Sequence, residues 1–401
     1  MRSCSFSALG SALASVLGFV ALGCGGRVLP LETPCGDAPP QCIARTDACG
    51  AATAVDAKCD VATSTWVCPA SSTPYVRAPD SPAACLPFHD ASLGIAQLGG
   101  SLSRVPLDDG RCLWIGESIS STTGQTVRNV GFVADTTAPF GTCPTRATLL
   151  GGSLAPAVAI EGGDDPSLLV QIDGGYRLGG TTHVLYRLFR YDATATFGVT
   201  NLGTGVGRWD PSTQRIVVGG PSSLRWSPNL NLGDASVVSG SDAYVLGCHP
   251  PYDFLSEPCA LARLDASDSS QLFTGAGWTS STSVAASATV TSSGPWISSL
   301  VPSPGGALTH VYVVGFGGTV QRHAAPAPEG PWTDGPDLGA CDLPADDPHA
   351  FCAGPVVHPE LADPTRAGEL PITYGIGTTA DQTSRAAANP DAYWTRLVWM
   401  R

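Results

Sequence analysis

Cys112-Leu-Trp-Ile-Gly116, Leu168-Leu-Val-Gln-Ile-Asp-Gly174, Ala243-Tyr-Val-Leu-Gly247, Val311-Tyr-Val-Val-Gly315 and Pro371-Ile-Thr-Tyr-Gly375 are five short apolar runs, each running into glycine. Their starts fall roughly 55 to 75 residues apart. Runs of this length suit a strand covered on both faces. Recurrence at that spacing, with room for several more strands between, is the signature of propeller blades. Each run is therefore expected to be the inner strand of a blade, with glycine ending it where the chain turns at the mouth of the channel. Gly-Arg-Trp209, Gly-Trp278, Gly-Pro-Trp296 and Gly-Pro-Trp332 add recurring turn-and-aromatic units, whose tryptophans are expected to pack between blades.

Composition agrees. Hydrophobic residues make up 43% of the 401 and charged residues 14%, enough apolar material for a core and the reverse of a disordered chain. The 47 glycines and 34 prolines break helices and populate turns. Net charge is −13 and Lys58 is the only lysine, so no cationic groove exists for nucleic acid or anionic lipid head groups.

The first 23 residues read as an export signal: Arg2 supplies a charge, Leu9 to Leu22 an apolar core, and Ala21-Leu22-Gly23-Cys24 resembles a bacterial lipobox, with Ala21 where leucine is usual. The resemblance implies that Cys24 is acylated and becomes the mature N-terminus. An ordinary secretory signal cut at the same bond and an uncleaved transmembrane anchor are the alternatives. The expectation is a lipoprotein of the cell envelope, held to a membrane (the outer one) through its N-terminal lipid and facing the periplasm or exterior.

Setting aside Cys4 and Cys24 leaves twelve of the 14 cysteines, an even set as a disulfide framework expects, and no C-x-x-C pair suggests zinc. Six of them crowd residues 24–85, a cysteine-rich stretch poor in large apolar residues that reads as a stalk or small stapled module. Beyond it, Cys112 with Cys143, Cys248 with Cys259 and Cys341 with Cys352 read as local pairs. Residues 86–401 form the expected propeller, so the fold class is all-β: a five-bladed β-propeller after a small cysteine-rich segment.

Gly233-Asp-Ala-Ser-Val-Val238 through Ala243–Cys248, then Cys259-Ala-Leu-Ala-Arg-Leu264, resembles the third blade of an uncharacterised bacterial family of five-bladed propellers, a domain of unknown function whose fold is similar to that of five-bladed glycoside hydrolases. Thr309–Val314 with Gln321-Arg-His-Ala-Ala325 and Glu329-Gly-Pro-Trp332 resembles its fourth blade, and Val357-His-Pro-Glu-Leu361 with Ile372-Thr-Tyr374 its fifth. The likeness covers residues 90 to 400 and implies a fold more than a function. Related hydrolases carry an Asp in the first inner strand, an Arg-Asp-Pro in the middle and a Glu before a later blade. Here the first run reads Trp-Ile-Gly-Glu-Ser, and Arg263-Leu-Asp265 departs from the middle motif.

Nucleophile elbow, zinc helix, P-loop and EF-hand loop are all missing from the sequence. Glycan hydrolysis would need facing carboxylates at the axis. Candidates are Glu117, Asp165, Asp234, Glu257 and Glu360, with Glu117 and Glu360 foremost because each adjoins an apolar run. His358 and Glu360 could contact a sugar hydroxyl or a cation, or else cap a turn and pair with an arginine. Arg263 is weighed as a ligand contact against an internal hydrogen-bonding role. No metal site or cofactor is expected; the acidic run Asp342 to Asp347 reads as a solvated loop, with calcium the alternative. The leading functional expectation is a propeller that binds carbohydrate or another surface polymer without turning it over. A glycan-active hydrolase and a structural or protein-interaction propeller are the alternatives.

Overall fold

The computed structural model describes residues 35–401 except 37, 46, 79–83, 134, 136–137, 164, 196–197, 249–256, 284–286, 294–296 and 304–305. The leader, Cys24 and Trp296 lie outside the described residues. Among the described residues no helix is long and apolar enough to cross a membrane.

Five antiparallel sheets make five blades. Their inner strands are Ile95–Pro106 in blade I, Leu168–Leu178 in blade II, Ala235–Ser239 in blade III, Ser299–Pro302 in blade IV and Ala350–Val357 in blade V, and each sheet steps outward in chain order. Blade II gains a parallel edge strand, Val158–Ile160, from the segment leaving blade I. Blade V takes its outermost strand, Ala84–Cys85, from the N-terminal side of the propeller, pairing it with Arg396–Met400. The circle is thus closed by main-chain hydrogen bonds between the two ends of the propeller.

The inner strands differ from the expected ones. Only Leu168–Gly174 opens an inner strand; the other four runs fall in the second strands Cys112–Ser121, Asp242–Cys248, Leu308–Val313 and Leu370–Thr378. A second strand has a neighbour on both edges and a packed sheet on both faces, so it is the most continuously apolar of its blade. Gly116, Gly247 and Gly375 do not end these strands but lie within them. They allow close packing: a Cβ on Gly247 would lie 2.3 Å from Leu232 Cα, and one on Gly375 would lie 2.8 Å from the Gly100 carbonyl.

Hydrogen bonds tie each blade to the next around the circle. Ser103 Oγ donates to the Ile172 carbonyl at 2.5 Å, joining blades I and II. Arg187 of blade II donates to Asp234 of blade III at 2.5 Å. The Ser298 N–H reaches the Asp234 carbonyl at 2.9 Å, joining III and IV. Ser299 Oγ donates to the Pro355 carbonyl at 3.1 Å and accepts from the Val357 N–H at 3.0 Å, joining IV and V. Thr395 Oγ1 donates to the Gly100 carbonyl at 2.8 Å, joining V to I. Between these seams lie the apolar clusters, such as the one shared by Leu113 and Ile115 of blade I with Ile172, Val184 and Trp209 of blade II. Trp209 thus packs between blades, and Arg111 of blade I lies over its ring.

The cysteine-rich segment is a docked module rather than a free stalk. It folds as a three-stranded sheet, Thr53–Asp56, Gln41–Ala44 and Ser72–Pro74, beside the hairpin Lys58–Asp60 and Thr65–Val67. Cys35–Cys59 and Cys42–Cys68 staple it internally. The expected Cys112–Cys143 pair is not formed: Cys112 is bonded to Cys49 and Cys143 to Cys85, so both bridges anchor the N-terminal segment to blade I. Cys248 is bonded to Cys259 and Cys341 to Cys352. Docking is completed by Arg77 on Asp363 at 2.5 Å and by Tyr75, whose hydroxyl donates to Asp363 at 3.0 Å and whose ring stacks on Phe140.

Candidate functional site at the propeller axis

Bulges interrupt three of the inner strands at one level. The register shifts between Gly99 and Leu102 in blade I, between Ile172 and Gly174 in blade II, and between Ala353 and Val356 in blade V. In blades III and IV the residues at that level, Asp234 and Ser298, immediately precede their inner strands. A bulge turns a side chain or backbone group out of the ladder, and here the groups released meet near the axis. Gly354, at φ +60°, lies where any Cβ would strike Ser101 Oγ. Gly100, at φ +76°, leaves space into which the Glu117 carboxylate folds; a Cβ there would lie 2.5 Å from Glu117 Oε2.

Four charged side chains gather in this ring. Arg187 stands on the second strand of blade II, and its Nη2 lies 2.5 Å from Asp234 Oδ1 and 3.4 Å from Asp173 Oδ2. Asp234 also accepts the Cys248 N–H at 2.7 Å. Glu117 is partly buried, with the Ser101 N–H directed at its Oε2 from 3.5 Å. Asp173, Asp234 and Arg187 are buried, and neither oxygen of Asp173 receives a hydrogen bond among the described residues. Such a group carries an unmet desolvation cost.

One guanidinium therefore pairs with two carboxyls and acts at longer range on a third. Burial pushes the Asp173 carboxyl up to about 7; Arg187 opposes the shift, while Asp234 and Glu117 reinforce it. Burial also raises Asp234, against Arg187 and the Cys248 N–H. It raises Glu117, against the Ser101 N–H, Arg128 and Arg187. The cluster can hold a proton at neutral pH and present both donors and acceptors, the chemistry that suits hydroxyl groups.

The other expected site residues lie elsewhere. Asp165 is exposed and caps the turn entering blade II, accepting the Ser167 N–H at 2.8 Å. That bond and the Ser167 hydroxyl hold its carboxyl below the usual range. Arg263 is on the third strand of blade III, donating to Gln271 at 2.8 Å and lying over the Trp278 ring at 4.6 Å. His358 and Glu360 are buried in the seam between blades V and I. Glu360 accepts from Arg104 Nε at 2.9 Å and Trp114 Nε1 at 2.8 Å, with His358 Nδ1 at 3.0 Å. Burial alone would raise Glu360, but Arg104 and His358 outweigh it and hold the carboxyl below its usual range. Burial depresses His358, so the neutral ring donates from Nδ1 to Glu360 and takes the Thr373 hydroxyl at Nε2. The expected Glu117–Glu360 pairing across the axis is thus not formed; Glu360 is a structural clamp. Of the acidic run, Asp342 pairs with Arg396, and Asp347 accepts the Tyr393 hydroxyl at 2.6 Å and faces Arg385. Among the described residues no group of three His, Cys, Asp or Glu side chains is placed to hold a metal.

Asp173 and Arg187 were not among the expected site residues. Their signal was present as a charge inside an apolar run: Asp173 followed by two glycines, and Arg187 within His183-Val-Leu-Tyr-Arg-Leu-Phe189.

No protein-family model matches the sequence, and no curated protein matches it. Among solved structures the chain is similar to a candidate hydrolase from Bacteroides ovatus, at 14% identity and a TM-score of 0.60, covering 81% of this chain and 93% of that one. An exo-β-1,3-galactanase from Phanerochaete chrysosporium, solved with β-1,3-galactotriose, is matched at 12% identity and a TM-score of 0.46, over 79% of this chain and 64% of that one. A GH43_1 enzyme from Xanthomonas citri is matched at 11% identity and a TM-score of 0.45, over 80% and 90%. Identities this low describe a fold and carry no residue roles across.

Proposed function

We propose that this protein is an envelope-anchored propeller whose axis binds a neutral carbohydrate or similar polyhydroxylated polymer without cleaving it. The observation that carries the reading is Asp173: a buried carboxyl that accepts no hydrogen bond among the described residues, flanked by Arg187 and Glu117 where bulges open the inner strands. A ligand hydroxyl would supply the missing donor. Three carboxyls outnumber the cations that act on them, Arg187 and the Arg128 beside Glu117, which disfavours an anionic ligand, in keeping with the chain's negative charge.

Turnover by two carboxylates needs them on opposite sides of the scissile bond, about 5 to 9.5 Å apart. Asp173 and Asp234 are both held on the same nitrogen of Arg187, a cation that takes up the contacts the two carboxyls would make to a scissile bond. Hydrolysis remains the second reading on one observation, the Asp173 carboxyl at about 7 with Glu117 nearby, a combination suited to a general acid. A glycan-array and turnover screen of the purified protein, with Glu117→Gln and Asp173→Asn variants, separates the two. Binding without product, weakened in both variants, supports recognition; product that disappears in either variant makes the protein an enzyme. An array without any binding sinks both.

Anchoring belongs to the same proposal. Export through residues 1–23 and acylation of Cys24 would place the propeller in an oxidising compartment, which six disulfides require. Detergent-phase partition should be lost in Cys24→Ala; retention of the membrane-bound fraction would refute the lipid anchor.

A further inference from the structure

A polar hollow lies away from the axis, where the edge of blade III meets the outer part of blade IV. It measures about 410 Å³ and is lined by Pro258, Thr289, Thr291, Ser292, His323, Trp332 and Asp334 together with Val290. The size falls in the range of small-molecule sites, roughly 300 to 1,000 Å³.

Its parts are ordered. His323 is buried, with Nδ1 2.8 Å from Thr291 Oγ1 and Nε2 2.6 Å from the Tyr312 hydroxyl and 3.1 Å from Asp334 Oδ1. Burial depresses the imidazole and raises the Tyr312 phenol to about 12, so both are neutral at physiological pH. The ring therefore acts as a fixed hydrogen-bonding post between the hollow and the core. Asp334 is the opposite: its side chain is 96% exposed, so one oxygen touches His323 while the carboxylate stays open to a ligand. Trp332 forms an apolar wall, because its indole N–H is already committed to the Pro328 carbonyl at 3.0 Å. Thr289 and Ser292 line the hollow with it.

An indole wall facing hydroxyls and one open carboxylate matches a pyranose, whose C–H face is apolar and whose rim is a set of hydroxyls. Among the described residues no arginine or lysine lines the hollow, and Asp334 is the one charged group there, which disfavours phosphorylated or uronic ligands and tolerates an amino sugar. We propose that this hollow is a second, off-axis saccharide-binding site for a neutral or amino-hexose unit, with Trp332 as platform, Asp334 as hydroxyl acceptor and His323 as the residue that positions Asp334. It shares a ligand class with the axial reading but none of its residues. Two sites on one propeller would let it hold a polymer at two points and gain avidity.

The test uses the full-length protein with cellotriose, xylotriose and chitotriose as probes, in calorimetry and saturation-transfer NMR. At least one probe should bind, with affinity at least tenfold weaker in Asp334→Ala and Trp332→Ala and unchanged in Asp173→Asn. Asp334→Ala removes an exposed side chain and leaves folding intact, so it decides the matter even if Trp332→Ala disturbs blade IV. Should every probe fail to bind at millimolar concentration, or bind equally to the Asp334→Ala variant, the off-axis site is refuted. Binding abolished by Asp173→Asn alone would support the axis and overturn this site.

Discussion

Asp173 makes the protein's stability depend on pH in a direction opposite to that of an ordinary paired carboxylate. Its folded value lies near 7 and its unfolded value near 3.8. Between those limits the folded state keeps a proton that the unfolded chain has released, so stability falls as pH rises through that window and levels off above it. Buried, depressed histidines such as His358 and His323 push the other way, so the carboxyl is read from the difference: between pH 4 and 8 the urea midpoint of the wild type should lose ground to that of Asp173→Asn as pH rises; parallel curves would show that the carboxyl does not hold that proton. Glu360 makes the contrasting case. Glu360→Gln breaks a buried ion pair with Arg104 and the His358 contact, and should cost about 3 kcal/mol by chemical denaturation. Axial ligand binding should be unaffected, and a variant of normal stability that loses ligand would return Glu360 to the site. Glu117 and Glu360 looked alike in sequence, as acids beside apolar runs. Which one reaches the axis depends on how blade V seats against Trp114, a contact between residues 246 positions apart. Glu117 and Asp234 were legible because each borders a run or opens a blade. Asp173 and Arg187 were not, since a lone charge inside an apolar strand gives no sign of the partner that meets it across a blade seam.

At the scale of the strand, the five runs revealed the blade count and period, but four of the five were assigned one strand too far inward. The inner strands carry the bulges, glycines and polar side chains of the axis, and these interrupt apolar continuity. The second strands, enclosed on all sides, keep it. Gly375, read as a strand end, is a point of contact between blades V and I, and this can be tested there. Adding a methyl group there would press it against the Gly100 backbone, which has no rotamer with which to yield. Gly375→Ala should lower stability by about 2 kcal/mol, the scale of overpacking, and loosen the ring beside Ser101 and Glu117. Gly277→Ala, where a Cβ would meet nothing within 4 Å, is the matched control and should be neutral. Equal stability of the two variants would mean that the seam between blades V and I is not closely packed.

The whole molecule is a circle, and a circle must be fastened. Ala84–Cys85 completes blade V, and the Cys85–Cys143 bond ties that closing strand to the far side of blade I; Cys49–Cys112 pins the docked module to the same blade. This explains why local spacing succeeded in proposing Cys248 with Cys259 and Cys341 with Cys352, both 11 residues apart, yet misassigned Cys112 and Cys143. The former staple one hairpin or one blade junction, whereas the latter serve closure, which joins segments that only the finished circle brings together. The energetic consequence follows from loop length. A bridge spanning 58 residues restricts the unfolded chain by about 4 kcal/mol, and one spanning 11 by about 3 kcal/mol. Closure adds to the difference, because losing Cys85–Cys143 also frees the strand that seals the ring. Replacing Cys85 and Cys143 together by serine should therefore lower the urea midpoint more than replacing Cys248 and Cys259. Limited proteolysis should then cut the former variant first between the docked module and blade I. If the two double variants unfold alike and resist protease alike, the ring is held shut by its strand pairing alone, and the bridge contributes only the restriction common to any loop.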